Sequence, residues 1–182
     1  MPDPASTATT TAPRLASVDV LRGLTVAGML LVNNAGDWSH VHPWLRHAAW
    51  HGWTLTDVVF PSFLWIVGVA ITLSLAKRMA AGASRSALFR QILRRAAIIY
   101  ALGLLVYLFP EFDFPHMRVL GVLQRIAICY LAASAIYLTT SIRGQLAWIA
   151  ALLASYWVLM TLVPVPGYGA GRLDVEGNFA HY

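Results

Sequence analysis

Residues 58–76 read VVFPSFLWIVGVAITLSLA, an unbroken apolar run of 19 residues without a charged side chain. About 20 mainly apolar residues in a helix are enough to cross the hydrocarbon core of a bilayer. This run therefore predicts a membrane-spanning helix.

Four further segments have the length and composition of membrane spans: 18–32, 92–109, 119–139 and 146–163. The composition of the 182 residues agrees, since 58% are hydrophobic and only 12% are charged, about half the charged fraction of a soluble domain. The sequence thus predicts an all-α protein, a polytopic integral membrane helix bundle with five transmembrane helices, and it argues against a soluble globular domain.

The distribution of basic residues predicts the orientation. Six of the 13 lie between the second and third spans or at the start of the third: Lys77, Arg78, Arg85, Arg90, Arg94 and Arg95. Basic residues collect on the cytoplasmic side of membranes, so this connection and the amino terminus are expected there. The segments 35–54, 110–117 and 165–182 then face the opposite compartment, and the net charge of +5 does not indicate a nucleic-acid partner.

The two ends of the chain differ from the spans. Residues 1–13 lack the basic start and short apolar core of a signal peptide, and we predict a disordered cytoplasmic tail. Residues 14–165 form the membrane domain, and 166–182 begin a non-cytoplasmic loop. Five helices make a small bundle for a substrate path, so we expect this chain to be the amino-terminal half of a longer protein.

All six histidines lie in the segments predicted to be non-cytoplasmic, four of them within residues 40–51. Histidine is the side chain best suited to proton transfer near neutral pH. The spacings of His40 with His42 and of His47 with His51 would also suit metal ligation, but no cysteine or glutamate pattern accompanies them, and we predict no metal. The alternative is an interfacial segment without chemistry.

Three further polar features adjoin this loop, and each has two interpretations. The Thr54-x-x-Asp57 pattern indicates a helix start, or a carboxylate that orients a histidine. Arg125, inside the fourth span, indicates either a structural pair with a carboxylate such as Asp57 or a substrate contact. Asn33-Asn34 either caps the first span or stabilises an oxyanion. At the other end, Asp19 and Arg22 are placed to neutralise one another.

These residues fall in long ordered motifs that resemble the heparan-α-glucosaminide N-acetyltransferase family. The motifs are SVDVLRGLTVAGM at 17–29, VNN at 32–34, RHAAWHGWTLTDVVFP at 46–61 and RVLGVLQRIA at 118–127. The resemblance covers about residues 14–140, and 177–182 resemble a following luminal loop.

The resemblance implies a membrane acetyltransferase that takes an acetyl group from cytosolic acetyl-CoA to a glucosamine amine across the membrane. It assigns the catalytic histidine to His47, the paired aspartate to Asp57 and the family's asparagine to Asn33. Bacterial relatives make an inner membrane the expected location. Family members have about twice as many helices, and the acceptor here need not be heparan sulfate.

The chemistry required by such a transfer suits the residues. An ammonium group cannot attack a thioester, so His47, oriented by Asp57, would remove its proton, and Asn33 would stabilise the oxyanion. We expect Arg125, Trp50 and Asn34 to bind substrate, and Arg22 and Arg94 to attract the CoA phosphates. Direct transfer is preferred over an acetyl-His47 intermediate because of the Asp–His pairing.

The expected partners are membrane lipid, acetyl-CoA and an amino-sugar acceptor, and a homodimer is compatible with the sequence. Two other functions stay open. The chain would be a solute transporter if Asp57 and Arg125 line a pathway, or a structural subunit if the histidine-rich loop docks a partner.

Overall fold

A computed structural model describes residues 15–34, 36–109, 112, 114 and 119–181. Five long α-helices follow one another: α1 (Ala16–Asn33), α2 (Leu55–Ala80), α3 (Arg85–Leu108), α4 (Val122–Thr139) and α5 (Ile142–Leu162). A 3-10 helix, Pro43–Leu45, lies in the connection from α1 to α2. Within these ranges the only β-type pairing is the isolated bridge between Val165 and Gly169, so the predicted all-α fold class is confirmed.

Every one of the five helices is long and apolar enough to cross a membrane. At most 28% of the residues in any of these spans are buried inside the protein, and in α5 none is buried. Apolar surface of this extent is stable when it faces lipid rather than water. The predicted membrane bundle therefore agrees with both the length and the exposure of the helices.

The helix starts differ from the predicted spans, and in α3 and α5 the reason is a polar cap outside the apolar run. α3 begins seven residues before the predicted start at 92, where the Ser84 hydroxyl accepts a hydrogen bond from Ala87 N–H at 3.3 Å. α5 likewise begins at Ile142, after the Ser141 cap. α2 begins at Leu55, three residues before the predicted start at 58, so Pro61 lies in its second turn. α4 begins only at Val122, after Gly121.

The bundle packs most closely where α3 meets α4, and α2 contacts both α1 and α4. A buried cluster joins α2, α3 and α4 near the connection between α2 and α3: Ile71, Leu75, Leu88, Ile92 and Leu138. Two glycines, Gly103 and Gly121, leave room for the fully buried side chain of Gln124, since a Cβ at either would come within 2.8 Å of its amide. α5 packs only sparsely against this group.

Candidate functional site

The carboxyl end of α1 and the amino ends of α2 and α4 enclose a cavity of about 270 Å³. Three of the site residues predicted from the sequence, Asn33, His47 and Arg125, line this histidine-end cavity. Its remaining walls are mostly apolar: Met29, Val32, Thr56, Val59, Phe60 and Val122. Residues 92 positions apart in the chain thus face one space of small-molecule size.

Asp57 holds the imidazole of His47. The Asp57 Oδ1 lies 2.6 Å from His47 Nδ1, and the histidine side chain is 76% exposed while that of the aspartate is 27% exposed. A carboxylate bonded to Nδ1 favours the tautomer with its proton there and leaves Nε2 unprotonated. The pair therefore has the arrangement of a general base.

The same carboxylate also caps α2. Its other oxygen, Oδ2, accepts hydrogen bonds from the backbone N–H of Thr54 at 2.9 Å and of Ala48 at 3.1 Å. The two interpretations of Asp57 offered by the sequence, helix cap and histidine partner, hold simultaneously, one through each oxygen. No hydrogen bond joins Asp57 to Arg125 in the described part of the chain, so the structural pair considered for these two residues is not formed there.

Arg46, directly before His47, fixes the loop in which the histidine lies. Its Nε donates to the carbonyl of Val41 at 2.9 Å and its Nη2 to the carbonyl of Ser39 at 3.0 Å. The carbonyl of Arg46 itself accepts the Thr54 hydroxyl at 2.6 Å. Backbone carbonyls bound by a guanidinium restrict the loop, so the position of His47 depends on more than Asp57.

A second aspartate–histidine pair lies in the same loop but outside the cavity. His40 Nδ1 is 2.5 Å from Asp37 Oδ2, and Asp37 Oδ1 accepts the Ser39 hydroxyl at 2.6 Å. The bonds from Ser39 and then His40 lower the pKa of the Asp37 carboxyl. Both side chains are well exposed. Among the residues that the structure describes, no three His, Cys, Asp or Glu side chains gather as metal ligands; His116 lies outside them.

Trp50 and Asn34, predicted to bind substrate, do not line the cavity. The indole N–H of Trp50 donates to the carbonyl of Leu173 at 2.7 Å, and thereby joins the histidine-rich loop to the segment after α5. The Asn34 amide donates to the carbonyl of Leu30 at 2.8 Å and caps α1. Both side chains lie at the same end of the bundle as His47, but each already has a structural partner.

A larger cavity of about 480 Å³ lies toward the opposite, basic end of the bundle, between α1, α2, α3 and α4. Arg22 and Arg95 line it, together with hydroxyl groups of Ser74, Tyr130 and Ser134. Arg22 also contacts Asp19 at 3.3 Å, as the sequence indicated. Arg94, predicted beside Arg22 as a phosphate contact, does not line this basic-end cavity; its neighbour Arg95 does.

The linings of the two cavities use successive parts of α2 and neighbouring sides of α4. On α4, Val122 and Arg125 face the histidine-end cavity while Leu123 and Ile126 face the basic-end cavity. On α2 the change occurs between Phe60 and Phe63, about one turn or 4.5 Å along the axis.

Five polar residues that line these cavities were absent from the sequence-based set of site residues: Thr56, Ser74, Arg95, Tyr130 and Ser134. Thr56 stands one residue before Asp57, and its position in the motif was the available signal. The other four carried none, because which side of a membrane helix faces a cavity does not follow from an apolar run.

Comparison with known proteins adds an independent finding. Residues 14–168 match the catalytic domain family described as heparan-alpha-glucosaminide N-acetyltransferase, catalytic. The human protein named heparan-alpha-glucosaminide N-acetyltransferase is 31% identical over 93% of this chain, and the mouse protein of the same name is 29% identical over 91% of it. The chain spans 29% of the length of each of these relatives.

Proposed function

This chain belongs to the heparan-α-glucosaminide N-acetyltransferase catalytic family, and from that premise we propose that it transfers an acetyl group from acetyl-CoA to the amine of an amino sugar across a membrane. The observation that carries the proposal is the 2.6 Å contact of His47 with Asp57 beside a cavity that also holds Asn33 and Arg125. A base, groups that can donate to an oxyanion, and space for two small reactants meet at one point.

In the proposed step the acceptor amine attacks the thioester carbon. His47 Nε2 removes a proton from the amine, while Asp57 stabilises the imidazolium that forms. The carbonyl oxygen becomes an oxyanion, which the Arg125 guanidinium and the Asn33 amide are placed to stabilise. The carbon–sulfur bond then breaks, and the CoA thiolate takes up the proton held by the His47 imidazolium, which restores the base. Direct transfer requires no acetylated histidine.

The basic-end cavity supports acetyl-CoA as the donor. Arg22 and Arg95 provide positive charge for phosphate groups, and the walls between them are apolar with scattered hydroxyls. An elongated thioester with an anionic head matches this distribution of charge. Its acyl end would reach the histidine-end cavity by passing Phe60 and Phe63.

The orientation in the membrane belongs to the same proposal. Basic residues crowd the connection from α2 to α3, which supports a cytosolic location for that end, the side from which acetyl-CoA would enter. The amino terminus, with a tail over residues 1–13, is then cytoplasmic, 14–165 is the transferring domain, and 166–182 begins a loop on the acceptor side. A bacterial inner membrane would satisfy this arrangement.

His47→Gln in the complete protein tests the proposal. Proteoliposomes receive labelled acetyl-CoA on the side of the α2–α3 connection and glucosamine on the other, and acetylglucosamine is measured. Since general-base catalysis contributes 10²–10⁴-fold, we expect His47→Gln to lower kcat/KM by about 10³-fold. His51→Gln, four residues along the same loop and outside both cavities, is the matched control and should retain the wild-type rate.

An undiminished rate in His47→Gln would remove the proposed base. A wild-type protein that acetylates none of a panel of amino sugars but moves a solute across the vesicle membrane would instead favour a transporter with Asp57 and Arg125 in its pathway.

A further inference from the structure

The side chain of Thr56 has a buried hydroxyl group that takes part in no hydrogen bond with the described residues. The residue is 6% exposed, and its Oγ1 has no hydrogen-bond partner in the part of the chain that the structure describes. Buried hydroxyl groups in native proteins nearly always find a partner, so an unpartnered one calls for an explanation. Thr56 also lines the histidine-end cavity, together with Asn33, His47 and Arg125.

The position of Thr56 explains why its hydroxyl is left over. The other threonines of these helices donate to the carbonyl four residues earlier, as Thr25 does to Leu21 at 2.8 Å and Thr72 to Gly68 at 3.2 Å. Thr56 lies in the first turn of α2, so the residue four positions earlier is Gly52, which precedes the helix. The usual intrahelical partner does not exist there.

We propose that the Thr56 hydroxyl binds a hydroxyl group of the acceptor sugar next to the reacting amine, and thereby helps to determine which acceptor is used. This inference rests on the proposed acetyltransferase function. Thr56 adjoins Asp57, whose carboxylate holds His47, so one helical turn carries both contacts. Because Thr56 and His47 line the same cavity, an acceptor whose amine reaches His47 has a neighbouring hydroxyl available for Thr56.

The hydrogen-bonding groups of the cavity favour the acceptor over the thioester as the partner of Thr56. The guanidinium of Arg125 can only donate, which suits a thioester carbonyl, since that group can only accept. His47 Nε2 is required for the amine. A sugar hydroxyl both donates and accepts, and the Thr56 hydroxyl can do the same. It therefore provides an acceptor atom that a sugar hydroxyl needs and that Arg125 cannot provide.

The test pairs a change in the protein with a change in the sugar. Thr56→Val keeps the shape of the side chain and removes the hydroxyl, while 1-deoxyglucosamine and 3-deoxyglucosamine each lack one hydroxyl beside the amine. With the complete protein, kcat/KM for each acceptor and its affinity in the absence of donor are both measured. Thr56→Ser restores the hydroxyl, and Thr72→Val removes one elsewhere on α2.

We expect wild type to prefer glucosamine over one of the deoxy sugars by about ten-fold, the effect of one hydrogen bond. Thr56→Val should lose that preference, and its KM for acetyl-CoA should not change. Thr56→Ser and Thr72→Val should keep the preference.

A Thr56→Val protein that still prefers the hydroxylated sugar overturns the proposal, as does one in which only the KM for acetyl-CoA changes. The affinities separate this inference from the proposed function. Suppose that wild type binds glucosamine more tightly than the deoxy sugar, that Thr56→Val abolishes this difference, and that wild type acetylates neither sugar. The hydroxyl contact then stands, while the acetyltransferase proposal fails. If wild type binds all three sugars with equal affinity, the proposed contact between Thr56 and a sugar hydroxyl is wrong.

Discussion

The two cavities of this bundle share the helices α2 and α4 and differ in how their polar groups are held. In the histidine-end cavity the imidazole of His47 is fixed by Asp57, which is itself held by the backbone of Ala48 and Thr54. In the basic-end cavity Arg22 is about half exposed, and its contact with Asp19 is 3.3 Å long, against 2.6 Å between His47 and Asp57. The volume is larger there, about 480 against 270 Å³.

This difference suits the two cavities to different parts of the proposed reaction: proton transfer in the histidine-end cavity and donor binding in the basic-end cavity. Proton transfer needs a base held at hydrogen-bond distance and in one tautomer, and a fixed carboxylate supplies this. Binding a long anionic donor needs charge, space and apolar walls, for which single fixed contacts matter less. Changes in the histidine-end cavity should therefore affect chiefly the catalytic rate, and changes in the basic-end cavity the KM of the donor.

Asp57→Asn should give the largest effect. The amide keeps an oxygen for the cap of α2, but it no longer stabilises an imidazolium, so we expect kcat to fall by about 10³-fold with little change in the donor KM. Steady-state kinetics with both substrates varied measures this. Asp37→Asn, which alters the exposed aspartate–histidine pair outside the cavity, should leave kcat within about two-fold. Equal losses of kcat in Asp57→Asn and Asp37→Asn would contradict the different roles given to the two aspartate–histidine pairs.

Asn33→Ala should lower kcat by about 10²-fold if its amide stabilises the oxyanion, since loss of one such donor has that magnitude. Asn34→Ala is the natural comparison, because that amide already donates to Leu30 and does not line the cavity. We expect its effect to be the smaller one, seen mainly as a lower midpoint of thermal unfolding. The reverse order would return the substrate contact to Asn34, as the sequence suggested.

Arg95→Gln should give the smallest of the three effects, a rise of about ten-fold in the KM for acetyl-CoA that diminishes at high salt. The KM for the acceptor should stay constant. Arg94→Gln, one position away and outside the basic-end cavity, should change the donor KM less. A larger effect at Arg94 would support the assignment made from the sequence, and a change in kcat alone would contradict the division between the two cavities.

The five membrane-spanning helices could be predicted from the sequence because apolar length is a local quantity. The helix ends could not, because Ser84 and Ser141 extend α3 and α5 beyond their apolar runs. The pairing of His47 with Asp57 could be predicted because both residues lie in one motif of 16 residues and Asp57 lies at the start of a helix. Arg125 could be singled out because a charged residue inside a membrane span is rare without a function.

The remaining site features depend on rotation about helix axes. Adjacent residues on a helix point about 100° apart, so Arg94 and Arg95 face different surroundings although the sequence treats them alike. The apolar pattern of α3 runs around the helix and does not mark an inward side. The bond from Trp50 to Leu173 joins residues 123 positions apart, and no periodic pattern relates them.

The Asp57 carboxylate bonds both the histidine and the start of α2, and so ties the proposed catalysis to the most easily frayed part of a helix. Terminal turns open locally at free energies far below that of global unfolding. On warming, the first turn of α2 should therefore release His47 while the five helices are still intact. Enzymatic inactivation would precede the loss of helical circular dichroism, and ligands that occupy the histidine-end cavity would narrow the interval between the two temperatures.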